Sequence, residues 1–300
     1  MEPEVKDSLI KKCPICGSNK FSVFLKTKDY FLTQEEFTLD QCDQCGFVFT
    51  NPIPALHELE KYYDSPDYLS HTANKPSFTG TVYKLFRNAN IKKKFKLVDH
   101  YANGKNLLDI GCGTGELLSH FKNKGWNVKG VEPNQSARKF ASQNYNIAVF
   151  DEIELDNFKA ESFDVISMWH VLEHVPDLNK RMVQLRRLVK KEGLIVIALP
   201  NLASPDAQKY RSHWAGLDVP RHLYHFTKTT FSLLLKKHKM ELLKSIPMKF
   251  DAFYVSLLSE KYLGKKIPYL PAFINGLQSN TAARKENNYS SMIFVVKLTK

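Results

Sequence analysis

The 300-residue chain lacks long apolar runs. No stretch approaches the roughly 20 apolar residues that a membrane-spanning helix needs, and the densest run, residues 194–200, has the length of a strand. Residues 1–6 contain acids and no apolar core, so we expect no secretory signal. These features predict a cytoplasmic protein without membrane insertion.

Arginine is also scarce, although the chain is basic. It has 43 Lys and Arg residues against 31 Asp and Glu residues, for a net charge of +12, and much of the excess is lysine in clusters such as residues 92–96 and 236–237. A basic balance favours anionic partners, including RNA, nucleotides and acidic glycans. Lysines that solubilise helix faces are the more ordinary explanation, and the scarcity of arginine weakens a role in bidentate phosphate recognition.

Only five cysteines are present, and four of them are spaced as metal ligands. Cys13 and Cys16 form one C-x-x-C pair, and Cys42 and Cys45 form another; each pair is followed by glycine. Apolar and polar residues alternate between the pairs, which predicts a short hairpin. This pattern resembles a zinc ribbon, in which four thiolates hold a structural Zn²⁺ tetrahedrally and metal binding supplies much of the folding free energy. Two disulfides are the alternative, which a cytosolic setting disfavours. A catalytic zinc is disfavoured because four cysteines leave no open position.

The most informative motif lies in the middle of the chain. Residues 107–115 read LLDIGCGTG, and an amphipathic stretch and a second apolar segment ending at Glu132 follow. This order predicts a strand, a glycine-rich turn, a helix and a second strand. Glycines allow the backbone to approach a ligand, and a helix N-terminus offers free N–H groups. Because an acid at the tip of the second strand can accept ribose hydroxyls, the unit predicts a site for an adenosine-containing cofactor.

The loop differs from the dinucleotide-binding fingerprint. Its third glycine comes one position early, at Gly115, and Asp109 precedes the loop inside the strand, where a carboxylate suits a cationic ammonium. The pattern resembles the first motif of the class I S-adenosylmethionine-dependent methyltransferases. The resemblance extends over about residues 104–250: residues 162–168 and 193–201 are similar to the fourth and fifth strands. Residues 171–177 are similar to the segment after the fourth strand in the subgroup that contains ubiquinone-pathway O-methyltransferases. A structural glycine turn, or a different nucleotide, is the alternative.

The resemblance implies an α/β fold with a doubly wound, mainly parallel seven-stranded sheet. The alternating pattern predicts strands near 106–110, 127–132, 147–149, 163–168 and 193–199. Residues 240–243 and 291–297 are expected to form an antiparallel pair, separated by a helical insertion near 250–288 in which Tyr254, Tyr269 and Phe273 are lid or core. We expect a zinc ribbon over 1–51 and a helical cap or linker over 52–103, with a helix at about 81–101 and with Tyr63 and Tyr68 in the pocket or the core. The methyltransferase domain would span 104–300.

The resemblance also assigns site residues. Asp109 and the loop backbone would hold the methionine part of S-adenosylmethionine, and Glu132 would hold the ribose. The predicted cofactor-binding residues are Asp109, Gly111, Cys112, Gly113, Gly115, Glu132, Pro133, Asn134, Asp151, Met168 and Trp169. For each of them taken alone, a structural role is the alternative.

Histidines are the candidate general bases, because imidazole titrates near neutral pH and a hydroxyl or amine acceptor must lose a proton. The candidates are His174, His222 and His225, each with a merely hydrogen-bonded or exposed side chain as the alternative. Arg221 would anchor an anionic substrate or pair with Asp218. Residues 170–174 also spell H-x-x-E-H, an inverted zinc-protease motif. Since the motif follows a strand and Pro176 comes two residues after it, we expect it at a strand end and not on a helix.

Three functions stay open at this point. The favoured one is methyl transfer to an oxygen, nitrogen or carbon of a small-molecule acceptor, such as a sugar, a lipid precursor or another metabolite. The second is RNA methylation. The net positive charge supports it, but the chain lacks an Asn-Pro-Pro-Tyr-type motif. The third is cofactor binding without turnover, with the ribbon as a docking module.

Overall fold

Two β-sheets organise the part of the chain that the computed structural model describes, residues 9–63 and 78–299. The strands are β1 (Phe21–Lys28), β2 (Glu36–Cys42), β3 (Val48–Thr50), β4 (Asn106–Ile110), β5 (Asn127–Val131), β6 (Val149–Phe150), β7 (Phe163–Trp169), β8 (Val189–Pro200), β9 (Tyr224–His225), β10 (Met240–Pro247) and β11 (Ser291–Leu298). The α-helices are α1 (Leu56–Leu59), α2 (Phe78–Tyr101), α3 (Glu116–Lys122), α4 (Gln135–Tyr145), α5 (Leu178–Leu188), α6 (Pro205–Tyr210), α7 (Lys228–Lys237), α8 (Asp251–Tyr262) and α9 (Tyr269–Ala283).

The larger sheet has seven strands in the order β10-β11-β8-β7-β4-β5-β6. Strands β4 to β8 pair in parallel, and β11 is antiparallel to both β8 and β10. This arrangement confirms the predicted fold class and the antiparallel final pair. Residues 193–199 of β8 are all buried, because helices cover both faces of the sheet. The carboxyl ends of β4, β5 and β7 meet at one edge, where open α/β sheets bind ligands.

The smaller sheet has the order β1-β2-β3-β9. Strands β1 and β2 form the predicted hairpin between the two cysteine pairs, and β3 continues the antiparallel sheet. Strand β9, far downstream, pairs with β3 through Val48–His225 and Phe49–Tyr224. Rings from both parts pack together, with Phe47 lying 5.9 Å from Tyr224 between centroids. The N-terminal sheet is therefore joined to the segment after β8, and the predicted three-part division of the chain stays a prediction.

The helices follow the predictions closely where the structure describes them. Helix α2 begins at Phe78, near the predicted start at residue 81, and α8 and α9 form the predicted helical insertion between β10 and β11. Tyr254, Tyr269 and Phe273 are 54%, 68% and 56% exposed, so the prediction that they could be core residues is wrong. Tyr68 lies outside the described residues. Among the described helices, none combines the length and apolar content needed to cross a membrane.

Candidate active site and metal centre

The glycine loop between β4 and α3 turns sharply beside the end of β5. Gly111, Gly113 and Gly115 have φ values of 73°, 54° and 82°, in the left-handed region that glycine adopts without strain. A Cβ atom on Gly111 would lie 2.3 Å from Cγ2 of Val171, whereas one on Gly113 would meet nothing within 4 Å. Gly111 is thus required by packing against the segment after β7, while Gly113 faces open space that a ligand can approach.

Glu132, directly after β5, holds the loop by two hydrogen bonds. Its Oε2 atom accepts from the backbone N–H of Gly113 at 2.9 Å, and its Oε1 atom accepts from that of Asn134 at 3.0 Å. Burial raises the pKa of Glu132, and the two backbone hydrogen bonds oppose that rise. Each carboxylate oxygen keeps a second lone pair, so both can also accept a hydroxyl proton.

Asp109, at the carboxyl end of β4, is 2% exposed and accepts a hydrogen bond from the Ser167 hydroxyl at 2.5 Å. Burial raises its pKa to about 7, and the Ser167 hydrogen bond and the Lys94 charge oppose that shift. Lys94, from α2, lies 4.2 Å over the ring of Trp169, and burial lowers its pKa against the pull of Asp109 and Asp251. This edge of the sheet therefore holds a buried carboxyl and a partly buried amine side by side.

Three more predicted residues surround Glu132 at the edge of the sheet. Pro133 and Asn134 are exposed beside it, and the Asn134 side chain caps α4 by accepting a backbone hydrogen bond at 2.9 Å. One oxygen of Asp151 lies 2.9 Å from Arg138, so this carboxylate is engaged with a cation. Capping of α4 is therefore sufficient to explain the presence of Asn134. Contacts of Pro133, Asn134 and Asp151 with an adenine stay predictions.

Met168 and Cys112 are both buried in the hydrophobic core. Met168 is 0% exposed and belongs to the main core, so packing accounts for it and its contact with a nucleobase stays a prediction. The Cys112 thiol packs in the second core cluster, and burial raises its pKa. Trp169 is partly exposed, and its indole Nε1 atom is buried without a hydrogen-bond partner among the described residues.

Two of the three candidate histidines lie together beyond the end of β7. The rings of His174 and His222 are 4.6 Å apart, and Nδ1 of His174 lies 3.1 Å from the Tyr63 hydroxyl and 2.9 Å from the carbonyl oxygen of Arg221. Burial, and to a lesser extent His222, lowers the pKa of His174 to about 4. The carboxylate of Glu173 completes the cluster, 4.0 Å from Nε2 of His222. This group can accept and pass on a proton.

His225 is linked to this cluster through Thr50, whose hydroxyl also donates to the carbonyl oxygen of His222. His225 belongs to β9, is 4% exposed, and places Nε2 3.3 Å from the Thr50 hydroxyl of β3. Burial lowers its pKa to about 3. Its buried position in the smaller sheet suits a structural role better than contact with an acceptor.

We expect the depressed pKa of His225 to make the protein sensitive to acid. Because its pKa is about 3 in the folded state and near the ordinary 6.5 in the unfolded state, the unfolded state takes up the proton first as the pH falls below 6.5. The free energy of unfolding then decreases by about 1.4 kcal/mol per pH unit for this group. Urea unfolding from pH 7.5 to 5.5 should therefore be less pH-dependent in His225→Gln than in the wild type. The same substitution at exposed His57 is the control, and an unchanged slope in His225→Gln would contradict the assignment.

The H-x-x-E-H segment does not form a helix that presents two metal ligands. His170 follows β7 with φ of 58°, and a short 3-10 turn, Leu172–His174, comes after it, as predicted for a strand end. The two ring nitrogens of His170 each lie 3.4 Å from a carboxylate oxygen, one of Glu173 and the other of Asp251. Burial acts to lower the pKa of His170, but these carboxylates outweigh burial and raise it to about 9. A protonated His170 therefore joins this segment to α8.

Arg221 is buried among partners and is occupied by them. Its guanidinium lies 2.8 Å from Asp29 and 2.7 Å from Asp218, and it donates to the carbonyl oxygen of Tyr62 at 3.0 Å. The interpretation that Arg221 pairs with Asp218 is confirmed. A buried cation paired in this way holds the N-terminal sheet against the histidine cluster.

The four clustered cysteines bring their sulfur atoms within 4.8 Å of one another. Cys13 and Cys45 are 3.5 Å apart at Sγ, and Cys16 and Cys42 are 3.4 Å apart. These distances exceed the roughly 2.05 Å of a disulfide, and all five cysteines are free. Sulfur atoms about 2.3 Å from a tetrahedral zinc would lie slightly further apart than this, so the cluster needs little movement to hold the ion.

The backbone around Cys42 favours its thiolate. Gly17 and Gly46 take φ values of 78° and 74° and donate to the carbonyl oxygens of Cys13 and Cys42. Burial acts to raise the pKa of Cys42, but hydrogen bonds, led by those from backbone N–H groups that include Gln44, outweigh it and lower the pKa to about 7. At Cys13 and Cys45 burial prevails and raises the pKa, to about 11 for Cys13, so the protein alone favours a thiolate at Cys42 and not at these two residues.

Sequence reasoning missed three residues at the sheet edge: Lys94, Glu173 and Asp251. A signal for Lys94 existed, because it lies one helical turn before buried Val98 and therefore on the packed face of α2. Asp251 begins a helix in the insertion, and only the fold brings it to His170. The sequence analysis named Glu173 only as part of the H-x-x-E-H motif, and its burial as a carboxylate among histidines became visible only in the structure.

Residues 83–245, more than half of the chain, match the methyltransferase domain family. The chain is 33% identical over 161 residues to a ubiquinone biosynthesis O-methyltransferase of Paraburkholderia phymatum, covering 51% of this chain and 65% of that relative. It is 28% identical over 192 residues to the enzyme of that name from Rickettsia bellii, covering 57% and 74%. The similarity thus spans between about half and three quarters of the length of such relatives.

A solved structure supports the fold independently. The magnesium protoporphyrin IX methyltransferase of Synechocystis PCC 6803 with bound SAH has a TM-score of 0.53 at 11% identity, covering 82% of this chain and 100% of that chain. Identity at this level shows a shared fold and no more. The match over residues 83–245 means that this chain belongs to the methyltransferase domain family.

Proposed function

We propose that this protein transfers a methyl group from S-adenosylmethionine to a small-molecule acceptor. The observation that carries the proposal is the hydrogen bond, 2.9 Å long, from the Gly113 backbone to Glu132 beside open space. This hydrogen bond places a carboxylate that can accept the ribose hydroxyls next to the Gly113 backbone, which a ligand can approach. Asp109, in the next strand of the sheet, supplies an acceptor for the ammonium of the methionine part.

The donor set fits this cofactor by its chemistry. When bound, S-adenosylmethionine supplies a methyl group on a sulfonium that is already a good leaving group. The protein then contributes alignment, which is worth up to about 7–11 kcal/mol for well-oriented reactants. Val171, packed on Gly111, fixes the histidine segment next to the cofactor loop.

The acceptor proton would pass to the pair formed by His174 and His222. A neutral imidazole is needed for that task. The lowered pKa of His174 keeps it unprotonated at pH 7, and it also makes His174 a weaker base than an ordinary histidine. Glu173, buried behind the pair, would stabilise the charge that develops on His222. Because Arg221 is occupied by Asp29 and Asp218, an anionic acceptor would have to use another cation. Lys94, whose charge acts on Asp109, is the candidate at this edge of the sheet.

The four clustered cysteines would hold a structural zinc. The sulfur distances and the backbone donors around Cys42 support this proposal, and four thiolates leave no position for a reacting water. The zinc would stabilise the small sheet and, through β3 and β9, the position of the histidine segment.

RNA methylation is the second candidate, and one surface favours it. A cleft of about 740 Å³ is lined by five basic side chains, Arg186, Arg187, Lys191, Lys237 and Lys239, among others. It lies at the amino end of β8, however, whereas Glu132 lies at the carboxyl edge of the same sheet. A salt-dependent shift with bulk RNA, lost when these lysines are replaced, would favour this function.

A matched pair of glycine substitutions tests the cofactor site. Gly113 and Gly125 both have positive φ, at 54° and 80°, and an added Cβ meets nothing within 4 Å at either position. Gly113→Ala and Gly125→Ala should therefore lose similar stability, about 1–2 kcal/mol, from backbone strain. Only Gly113→Ala should weaken S-adenosylmethionine binding, by about tenfold or more, because its methyl group would stand where the ligand approaches. Calorimetric titration and urea unfolding measure the two effects, and equal affinities in the two variants would contradict the proposed site.

A further inference from the structure

Helices α8 and α9 bury small side chains against each other and against the rest of the protein, and they expose large ones. The buried residues of α9 are Ala272, Gly276, Ser279 and Ala283. The buried residues of α8 are Ala252, Ser256, Ser259 and Glu260. This is the reverse of a surface helix in a soluble domain, which turns its large apolar side chains inward.

The small residues allow the two helices to approach closely. A Cβ atom on Gly276 would lie 2.6 Å from Cδ1 of Phe253, and the rings of Phe253 and Phe273 are 5.6 Å apart. Small residues spaced four apart, such as Ala272 and Gly276, are typical of helix pairs packed in lipid, where no apolar face needs to be hidden from water.

Large exposed side chains recur along α9 at spacings of three and four, which places them on one side of that helix, and others lie in the connection from α8; we call this set the apolar ridge. Its members are Leu263, Ile267, Tyr269, Leu270, Phe273 and Leu277, and Ile267 is 76% exposed. Helix α9 has 15 residues and no charged side chain, so the uncharged part is roughly 22 Å long. Single exposed apolar residues are ordinary, but a contiguous group marks a surface that binds something.

The charges around the apolar ridge are mainly positive. Lys261 lies in the last turn of α8, and Lys265 and Lys266 are exposed in the turn before Ile267. The two acids of α8 do not balance them, because Asp251 pairs with His170 and Glu260 is buried. The ridge thus carries lysines at the tip where its most exposed apolar residue lies.

We propose that the apolar ridge binds the surface of a membrane that contains anionic lipids. The apolar side chains would enter the boundary between headgroups and acyl chains, and the lysines would contact the headgroups. A second copy of the chain fits less well, because a two-fold contact through this patch would bring its lysines together. The binding goes beyond the proposed methyl transfer and does not depend on it, although Asp251 places the start of α8 beside the active-site edge.

Vesicle sedimentation tests the proposal with the full chain. Vesicles of phosphatidylcholine with 30% phosphatidylglycerol, in about 0.1 M salt, should sediment the protein, and vesicles of phosphatidylcholine alone should bind it about tenfold or more weakly. Replacing two ridge residues, as in Ile267→Ser with Leu270→Ser, should lower binding by at least about tenfold. The matched control is Ile153→Ser with Val183→Ser, since these side chains are 72% and 58% exposed on other surfaces.

Two double lysine substitutions test whether the lysines of the apolar ridge, and not basic residues in general, contact the anionic lipids. Lys265→Gln with Lys266→Gln should weaken binding to the anionic vesicles by about tenfold, whereas Lys191→Gln with Lys239→Gln, in the basic cleft, should leave it unchanged. The proposal is overturned if the wild type stays in solution with anionic vesicles, or if ridge and control variants bind alike. A ridge-dependent dimer without vesicle binding would assign the surface to a second copy. Calorimetry with S-adenosylmethionine on the same samples keeps this outcome distinct from failure of the proposed function.

Discussion

Glu132→Ala should bind S-adenosylmethionine at least about 100-fold more weakly than the wild type. Glu132 would accept both ribose hydroxyls, and hydrogen bonds to a charged group contribute about 1.5–3 kcal/mol each. The carboxylate also holds the backbone of Gly113 at 2.9 Å and that of Asn134 at 3.0 Å, so its loss would loosen the loop as well. The two effects act in the same direction.

Calorimetric titration with S-adenosylmethionine and with its demethylated product measures this loss. Glu192→Ala is the matched control, because Glu192 is exposed near the start of β8, away from the cofactor loop. Glu132→Gln should fall between the two, since an amide retains one acceptor oxygen. Wild-type affinity in Glu132→Ala would contradict the role of this residue, and absence of binding by the wild type would overturn the proposed function.

Loss of the metal should unfold the small sheet and disturb the histidine cluster. Metal analysis of the wild type should find about one zinc per chain, and Cys42→Ser should reduce both the zinc and the stability of the fold, the latter by more than about 3 kcal/mol. The effect should spread because the Thr50 hydroxyl, in β3, donates to the carbonyl oxygen of His222 at 2.9 Å, and because Arg221 pairs with Asp29.

Cys112→Ser is the matched control for the metal. Cys112 lies in the cofactor loop, outside the cluster of four sulfurs, so this variant should keep its zinc. Zinc content by elemental analysis and thermal unfolding with and without a chelator give the two readouts. A Cys42→Ser variant that retained full metal content and solubility would contradict the zinc assignment.

The larger sheet was predictable because its strands are long and buried on both faces. Residues 107–110 and 194–199 are apolar except for Asp109. Because helical segments separate such strands along the chain, a parallel sheet is the expected arrangement. The glycine loop was predictable for a related reason: the spacing of its glycines, with an acid at the tip of the following strand, is typical of one kind of site.

The position of His225 was not predictable in the same way. Its strand has two residues, too few for a periodic pattern, and its partner strand, which contains Val48, lies far upstream in the chain. Proximity to the end of β8 suggested the edge of the sheet for His225, whereas pairing with β3 places it in the interior. His170 and Asp251 illustrate the same limit, because a contact between a strand end and an inserted helix leaves no local signal.

A crystal structure of the full chain with S-adenosylhomocysteine tests the central claim most directly. We expect the ribose hydroxyls within hydrogen-bond distance of Glu132, the amino group beside Asp109, and the sulfur facing His174 and His222. A ligand bound elsewhere, or a space beside Gly113 filled by the protein's own side chains, would contradict the assignment of this edge of the sheet as a methyl-donor site.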